Sequence, residues 1–232
     1  NKIKFILDIL ITLFPIFIKN KKLNLIGFGG FLTSPILYFA KIFNLFFFSF
    51  NKIYIHEQNY VFGLANKLNY FISHKVFTSF PTTKFLKKEI YVGNFFNDIN
   101  NFKFTKNEKI KILLLGGSAG SLELNDLLIQ KLSHLSKDIL DNIQVLVQIP
   151  DSFFEEYRSK YLNIIKDVSF FSFKNDLNYL EYDLIISRSG SGSLNDILYI
   201  TNYVFFIPHM HSRDGHQKLN LDYFKKYNSF MH

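Results

Sequence analysis

The sequence predicts an α/β protein built on parallel sheets. Short, mostly apolar runs at residues 23–26, 53–55, 111–115, 145–149 and 184–186 alternate with helical patterns along the whole chain. Such runs suit strands buried on both faces, and parallel strands need the crossover helices that lie between them. Two of the joining turns, Gly116-Gly117-Ser118-Ala119-Gly120-Ser121 and Ser187-Arg188-Ser189-Gly190-Ser191-Gly192-Ser193, lead from a strand into a helix. That geometry points free backbone N–H groups and the positive end of a helix dipole at an anion.

A chain of 232 residues can bury a sizeable core, as one large domain or two small ones. It is rich in Phe (29) and Tyr (13) and has no Trp, a bias that reflects the coding DNA as much as function. Lys and Arg outnumber Asp and Glu by 27 to 19, giving a net charge of +8. That balance favours anionic partners such as nucleotide phosphates, acidic lipid or nucleic acid, although lysines also solubilise a Phe-rich protein. Lysines are scattered and no recognition motif is seen, so a nucleic-acid partner is not expected. The absence of Cys excludes a disulfide scaffold and any Cys-ligated metal site. The chain starts at Asn1, shows no signal-peptide pattern, and stops after a helix-like run at 221–227, so it reads as an internal piece of a longer protein.

Residues 5–18 are apolar apart from Asp8 and Thr12. The run is shorter than the ~20 residues of a membrane span, and Pro15 interrupts it. With Lys19, Lys21 and Lys22 following, it reads as a buried helix with a solvated end, or as a helix lying on a membrane surface. The strand at 23–26 runs into Gly27-Phe28-Gly29-Gly30 and then a helix through Ala40. Residues 36–50 are the most apolar stretch; exposed, they would mark a membrane or protein contact, and covered, they are core. The strand at 53–55 is followed by His56-Glu57-Gln58-Asn59 and a helical segment at 62–71. Those four polar residues serve a binding site or cap the helix, with Asn59 as cap and Glu57 as first-turn acid. Short strands at 75–78 and 91–92 end at Gly93-Asn94, and the aperiodic, charged residues 98–109 read as a linker.

The second half opens with the strand at 111–115, the first Gly/Ser turn, and a helix carrying Leu122, Leu124, Leu127, Leu128 and Leu132. The turn lacks the Lys-Ser/Thr ending of a Walker loop and does not match the dinucleotide spacing. Strands follow at 145–149 and 169–173, then the loop Lys174-Asn175-Asp176. After the strand at 184–186 and the second turn, a helix is expected with Asp196 in its first turn. A last strand, 203–207, ends at Pro208, and a polar loop beyond it holds Asp214, His216, Gln217 and Asn220. In open α/β sheets, ligands bind where such strand ends gather.

Taken in order, Gly27-Phe28-Gly29-Gly30, His56-Glu57-Gln58-Asn59, Gly93-Asn94, Gly116-Gly117-Ser118-Ala119-Gly120, Arg188-Ser189-Gly190 and Asp214-Gly215-His216-Gln217 with Asn220 resemble the MurG-type peptidoglycan glycosyltransferases of bacteria. The resemblance spans nearly the whole chain. It implies a GT-B fold, with two Rossmann-like domains facing across a cleft: residues 1–98 on the acceptor and membrane side, and 99–232 binding UDP-GlcNAc. It further implies an inverting transfer of N-acetylglucosamine from UDP-GlcNAc to a lipid-linked muramyl pentapeptide (lipid I), giving lipid II, with no cofactor and no obligatory metal. The implied location is peripheral, against the anionic surface of the bacterial inner membrane on its cytoplasmic face.

Carried over residue by residue, Asn59 is expected to approach the donor from the N-terminal domain and Ser118 to touch the diphosphate. Lys174 matches a position that meets uracil through its backbone. Ser191, Gly192, Ser193, Leu194, Asn195 and Asp196 should line the nucleotide, with Asp196 on the ribose hydroxyls. Gln217 should bond the sugar with His216 beside it, and Glu57 is the candidate catalytic or orienting carboxylate. Three departures from the family pattern stand out. Asp196 replaces a longer Glu, Asn97 replaces an Arg, and extra Phe and Lys residues lie between Ser34 and Ile53. The family's first glycine-rich loop, with the His proposed as base, would precede Asn1, and the last helices would follow His232, so this stretch alone is expected not to turn over. The alternatives are a GT-B enzyme making another glycolipid and a truncated relative that only binds membrane.

Overall fold

The computed structural model describes residues 2–81, 89–93, 108–117, 120–174, 177–197, 203–209, 212 and 215–227. The chain divides into two compact units, Asn1–Phe95 and Phe96–His232. The expected linker at 98–109 lies almost wholly outside the described residues.

In the first unit, strands β1 (Asn24–Gly27), β2 (Lys52–Glu57), β3 (Lys75–Thr78) and β4 (Glu89–Tyr91) pair in parallel in that spatial order. Helices α1 (Lys2–Lys19), α2 (Thr33–Phe46) and α3 (Leu64–Tyr70) connect or precede them. Ile53, Ile55 and Val76 form one buried layer of the sheet and Phe17, Leu37, Ala40 and Phe43 pack in the same core. Because all four strands run one way, the turns after β1, β2 and β3 emerge at a single edge.

Two expectations here are corrected. Helix α1 runs through Pro15 to Lys19 instead of breaking there. Pro15 costs one backbone hydrogen bond, but the rings on either side of it are held by packing: Phe14 lies edge-on to Phe39, Phe43 and Phe47, and Phe17 to Phe39. Strand β2 also runs two residues further than its apolar core, so His56 and Glu57 are its last members, not the start of a loop.

The second unit is a five-stranded parallel sheet of β5 (Ile110–Leu115), β6 (Ile143–Gln148), β7 (Val168–Phe171), β8 (Leu184–Ser187) and β9 (Tyr203–Phe206), in spatial order β7-β6-β5-β8-β9. Alternation along β5 divides the core in two. Ile112 and Leu114 join α4 (Leu122–Ser133) and α6 (Phe154–Leu162), whereas Leu113 and Leu115 join Leu177, Tyr179 and Ile197 on the opposite face. The strand order reverses between β5 and β8, which is the switch point where doubly wound sheets open a crevice.

Buried polar groups tie α4 to its neighbours. Asn125 donates to the carbonyls of Ser121 (2.8 Å) and Gln148 (3.0 Å) and accepts from the Tyr161 hydroxyl (3.1 Å). Tyr157 donates to Asp126 at 2.8 Å; burial first, then that bond, pushes its phenol up to about 12.

The structure adds α5 (Lys137–Asp141) and α6, which were not foreseen. The signal for α6 was present in Phe154, Tyr157 and Tyr161 at helical spacing. Helix α7 (Ser191–Ile197) begins at Ser191, so Asp196 lies in its second turn and the first turn has no acid. Helix α8 (His216–Tyr227) starts earlier than expected, placing His216, Gln217 and Asn220 on a helix and not in a loop.

Candidate functional site

The switch point gathers the loops after β5, β8 and β9. Gly116, the first residue beyond β5, donates its N–H to Gln148 Oε1 at 2.9 Å, while Gln148 Nε2 donates to the Ser172 carbonyl at 3.1 Å. One buried glutamine therefore holds together the exits of three strands. A β-carbon on Gly116 would sit 2.1 Å from the Ser121 nitrogen, so only glycine lets the chain double back here. Gly117 and Gly120 take positive φ of 85° and 72°. Ser121 then caps α4, its hydroxyl accepting from the Leu124 N–H at 3.3 Å.

Arg188, the first residue beyond β8, is only 2% exposed. Its guanidinium donates to the Ser121 hydroxyl, to the Glu123 carboxylate, and to the carbonyls of Ile207 and Pro208. Beside it, the Ser189 hydroxyl donates to the Gln217 carbonyl at 3.0 Å, and the His209 N–H donates to Gln217 Oε1 at 2.8 Å. These bonds draw the start of α8 against the β8 and β9 exits. Where the edge is not stitched it is open: β-carbons placed on Gly117, Gly190 or Gly192 would meet nothing within 4 Å. A strand-to-helix turn of glycines with space before it suits a ligand's anionic group.

The expected site residues divide on this frame. Ser191, Gly192 and Ser193 form the first turn of α7 at the open edge, with Gly192 exposed. Asp196 is half-buried on the next turn; after burial itself, its charge is the second reason the Tyr179 phenol is pushed up to about 12. His216 and Gln217 open α8 at the same edge. Lys174 is exposed beyond β7, near the Ser172 carbonyl that Gln148 holds. Ser118, Asp214 and Asn97 lie outside the described residues. The Leu194 side chain is 0% exposed in the core and its N–H donates to the Gly190 carbonyl, so it supports the turn from below. Asn195 is likewise buried. Sequence reasoning missed Gln148 and Ser121. A polar residue closing an apolar strand was the available signal for the first, and a serine directly before the leucine pattern of the helix was the signal for the second.

The first unit has its own polar edge. Glu57 is 3% exposed, and its two carboxylate oxygens collect four donors. Oε1 accepts from the Asn59 N–H (3.0 Å) and Nδ2 (3.2 Å), while Oε2 accepts from the Gly63 N–H (3.0 Å) and Asn66 Nδ2 (2.9 Å). Asn59 is thus held in place by Glu57. His56 is buried next to it and titrates below the ordinary histidine value, chiefly through desolvation, against which the Gly93 carbonyl and the Glu57 charge act. Among the described residues, no group of three or more His, Asp and Glu side chains is placed to hold a metal ion.

Two parallel-sheet α/β units, the second opening at a switch point, are the architecture of the GT-B fold. The chain belongs to glycosyltransferase family 28, whose C-terminal domain matches residues 111–231. It is 30% identical over 233 residues to the UDP-N-acetylglucosamine–N-acetylmuramyl-(pentapeptide) pyrophosphoryl-undecaprenol N-acetylglucosamine transferase of Wolbachia sp. subsp. Brugia malayi (strain TRS), covering 97% of this chain and 66% of that protein. The protein of the same name from Sulfurihydrogenibium sp. (strain YO3AOP1) is 28% identical over 243 residues, covering 97% of this chain and 64% of its own length. The chain therefore spans slightly less than two thirds of these curated relatives. Among solved structures, MurG of Acinetobacter baumannii superposes with a TM-score of 0.61 at 23% identity, covering 89% of this chain and 61% of that one. MnaA of S. aureus, solved with UDP, gives 0.52 at 13% identity, covering 82% and 57%. At these identities the two structures bear on the fold alone.

Proposed function

We propose that this chain is the body of an inverting glycosyltransferase that moves N-acetylglucosamine from UDP-GlcNAc to a lipid-linked muramyl pentapeptide, forming lipid II. The observation that carries this reading is the open edge at the β5/β8 switch point, bordered by Gly117, Gly190 and Gly192, in a family-28 chain whose relatives bear that activity in their names. Residues 1–98 serve the acceptor and 99–232 the donor. In the reaction, the acceptor hydroxyl attacks the anomeric carbon, its proton passes to a base, and UDP departs with the electron pair of the broken C–O bond. The charge gathering on the diphosphate is met by backbone donors at Gly117 and the start of α4, with Ser118 beside them. Ser191, Gly192 and Ser193 line the nucleotide, with Leu194 and Asn195 supporting that turn. Asp196 takes the ribose hydroxyls, Lys174 meets uracil through its backbone, and Gln217 with His216 takes the sugar. Gln217 Oε1 is already engaged by His209, so Nε2 is the end that donates to a sugar hydroxyl. Asn59 is assigned to the donor, and Glu57 orients it.

Calorimetry of UDP binding tests the donor half. Asp196→Ala removes a charge-assisted hydrogen bond worth roughly 1.5–3 kcal/mol, so affinity falls by about tenfold or more. Equal UDP affinity in wild type and variant rejects the ribose assignment. For the acceptor half, radiolabel from UDP-GlcNAc should reach lipid I and not diacylglycerol; transfer to diacylglycerol alone points instead to a glycolipid synthase.

The first unit also supports a peripheral site on the cytoplasmic face of the inner membrane. Among the described residues, no helix is long and apolar enough to cross a membrane. Yet α1 exposes Ile3, Phe5, Leu7 and Ile11, and the end of α2 with the residues just after it exposes Leu45, Phe46, Phe48 and Phe50, with Lys2, Lys4, Lys21 and Lys41 exposed on the same unit. Large apolar side chains among lysines suit an anionic lipid surface. Phe48 is the sharpest case: it is 84% exposed and takes φ 48°, just past the end of α2, where glycine is usual. Phe48→Gly is expected to leave the melting temperature unchanged or raised and to weaken sedimentation with vesicles containing anionic lipid. Undiminished sedimentation at low salt would remove Phe48 from the membrane contact.

A further inference from the structure

The diphosphate cradle proposed above contains a side chain not yet given a role in binding. Three N–H groups converge on the Ser121 hydroxyl oxygen: the Leu124 backbone at 3.3 Å, Arg188 Nε at 3.3 Å and Arg188 Nη2 at 3.0 Å. A hydroxyl has two lone pairs and one hydrogen. With its acceptor side crowded by three donors, two of them cationic, the hydrogen is turned away from them. Among the described residues, no acceptor takes it. The residue stands at the mouth of α4, half-buried, directly after Gly120 and on the same loop as the open side of Gly117. A hydroxyl held in this way is a preset donor for an anionic oxygen.

The same guanidinium deals with an opposing charge. Glu123 lies in the first turn of α4, its side chain 67% exposed, where a bare carboxylate would repel a diphosphate. Arg188 Nη2 pairs with it. Arg188 itself is anchored by the carbonyls of Ile207 (3.2 Å) and Pro208 (3.3 Å), so both functions depend on one buried fork that lysine cannot reproduce.

Resting on the donor-site reading above, we propose that Ser121 is a further diphosphate-binding residue, its hydroxyl aimed by Arg188, and that Arg188 is a positioning residue that also masks Glu123. The cradle then recognises the phosphates, not the nucleoside.

Paired calorimetry of UDP and uridine on the 232-residue chain tests this, because uridine carries no phosphate. Ser121→Ala should weaken UDP about tenfold, the loss of one charge-assisted bond, and leave uridine unchanged. Ser121→Thr keeps the hydroxyl and the cap and should restore UDP affinity. Glu123→Gln keeps a side-chain oxygen for Arg188 and, because that carboxylate is already masked, should change UDP affinity by less than about twofold, again without moving uridine. Arg188→Lys should weaken UDP more than uridine. If Ser121→Ala weakens both ligands equally, or neither, Ser121 is only a helix cap and the inference fails while the donor-site reading stands. A wild-type chain that binds no UDP ends both.

Discussion

Gly116→Ala is expected to destabilise the second unit by about 3 kcal/mol or more, where overpacking usually costs 1–3. The added methyl would lie 2.1 Å from the Ser121 nitrogen and 2.4 Å from the Gly120 carbonyl carbon. Both are backbone atoms, so no side-chain rotation relieves the clash. Moving the loop would pull Gly116 from Gln148 and loosen the cap of α4, and the damage would extend to the exits of β6 and β7 through the Gln148–Ser172 bond. The matching control is Gly190→Ala, which meets nothing within 4 Å. It should change stability by less than about 0.5 kcal/mol, the usual range for a surface substitution, yet intrude on the open edge and weaken UDP. Urea unfolding with parallel calorimetry separates the two. A Gly116→Ala chain as stable as wild type would mean that the turn after β5 does not have this geometry.

Substitution of Glu57 carries the second large effect, and it distinguishes two roles for that carboxylate. Glu57→Ala leaves the Asn59 and Gly63 N–H groups and two side-chain amides without their acceptor, and should cost about 3 kcal/mol. Glu57→Gln is the decisive variant. Each carboxylate oxygen accepts from two donors, so whichever oxygen becomes an NH2 group turns two attractive contacts repulsive. The isosteric change should therefore destabilise the first unit by nearly as much as alanine does. A carboxylate serving only as a catalytic base would behave differently: glutamine would abolish turnover and leave the unfolding midpoint in place. Equal stability of wild type and Glu57→Gln would return Glu57 to the chemistry and undo its role as the holder of Asn59.

Much of the strand order was legible because buried parallel strands leave a strong mark. Runs such as Leu113-Leu114-Leu115 and Leu184-Ile185-Ile186, stopped by glycine and serine, match β5 and β8 closely. Element ends were less legible. Helix α7 starts three residues before the first apolar side chain of its pattern, at Ser191, because serine and glycine enter a first turn readily when the loop before it is bonded in place. Pro15 misled for the complementary reason: a local penalty was outweighed by aromatic rings contributed by another helix.

Period and punctuation in the chain were enough to determine an α/β fold, the positions of two glycine- and serine-rich strand-to-helix turns and the polar residues grouped around them, since each is a property of neighbours in sequence. Only the tertiary structure decided which of those polar groups are already in use. Arg188 reaches Ser121 across 67 positions, Gln148 reaches Gly116 across 32, and Leu194, beside the open edge in sequence, is turned into the core. Hydrogen-bond partners so far apart leave no local pattern, because they are brought together by the parallel stacking of strands and not by the spacing of residues along any one of them.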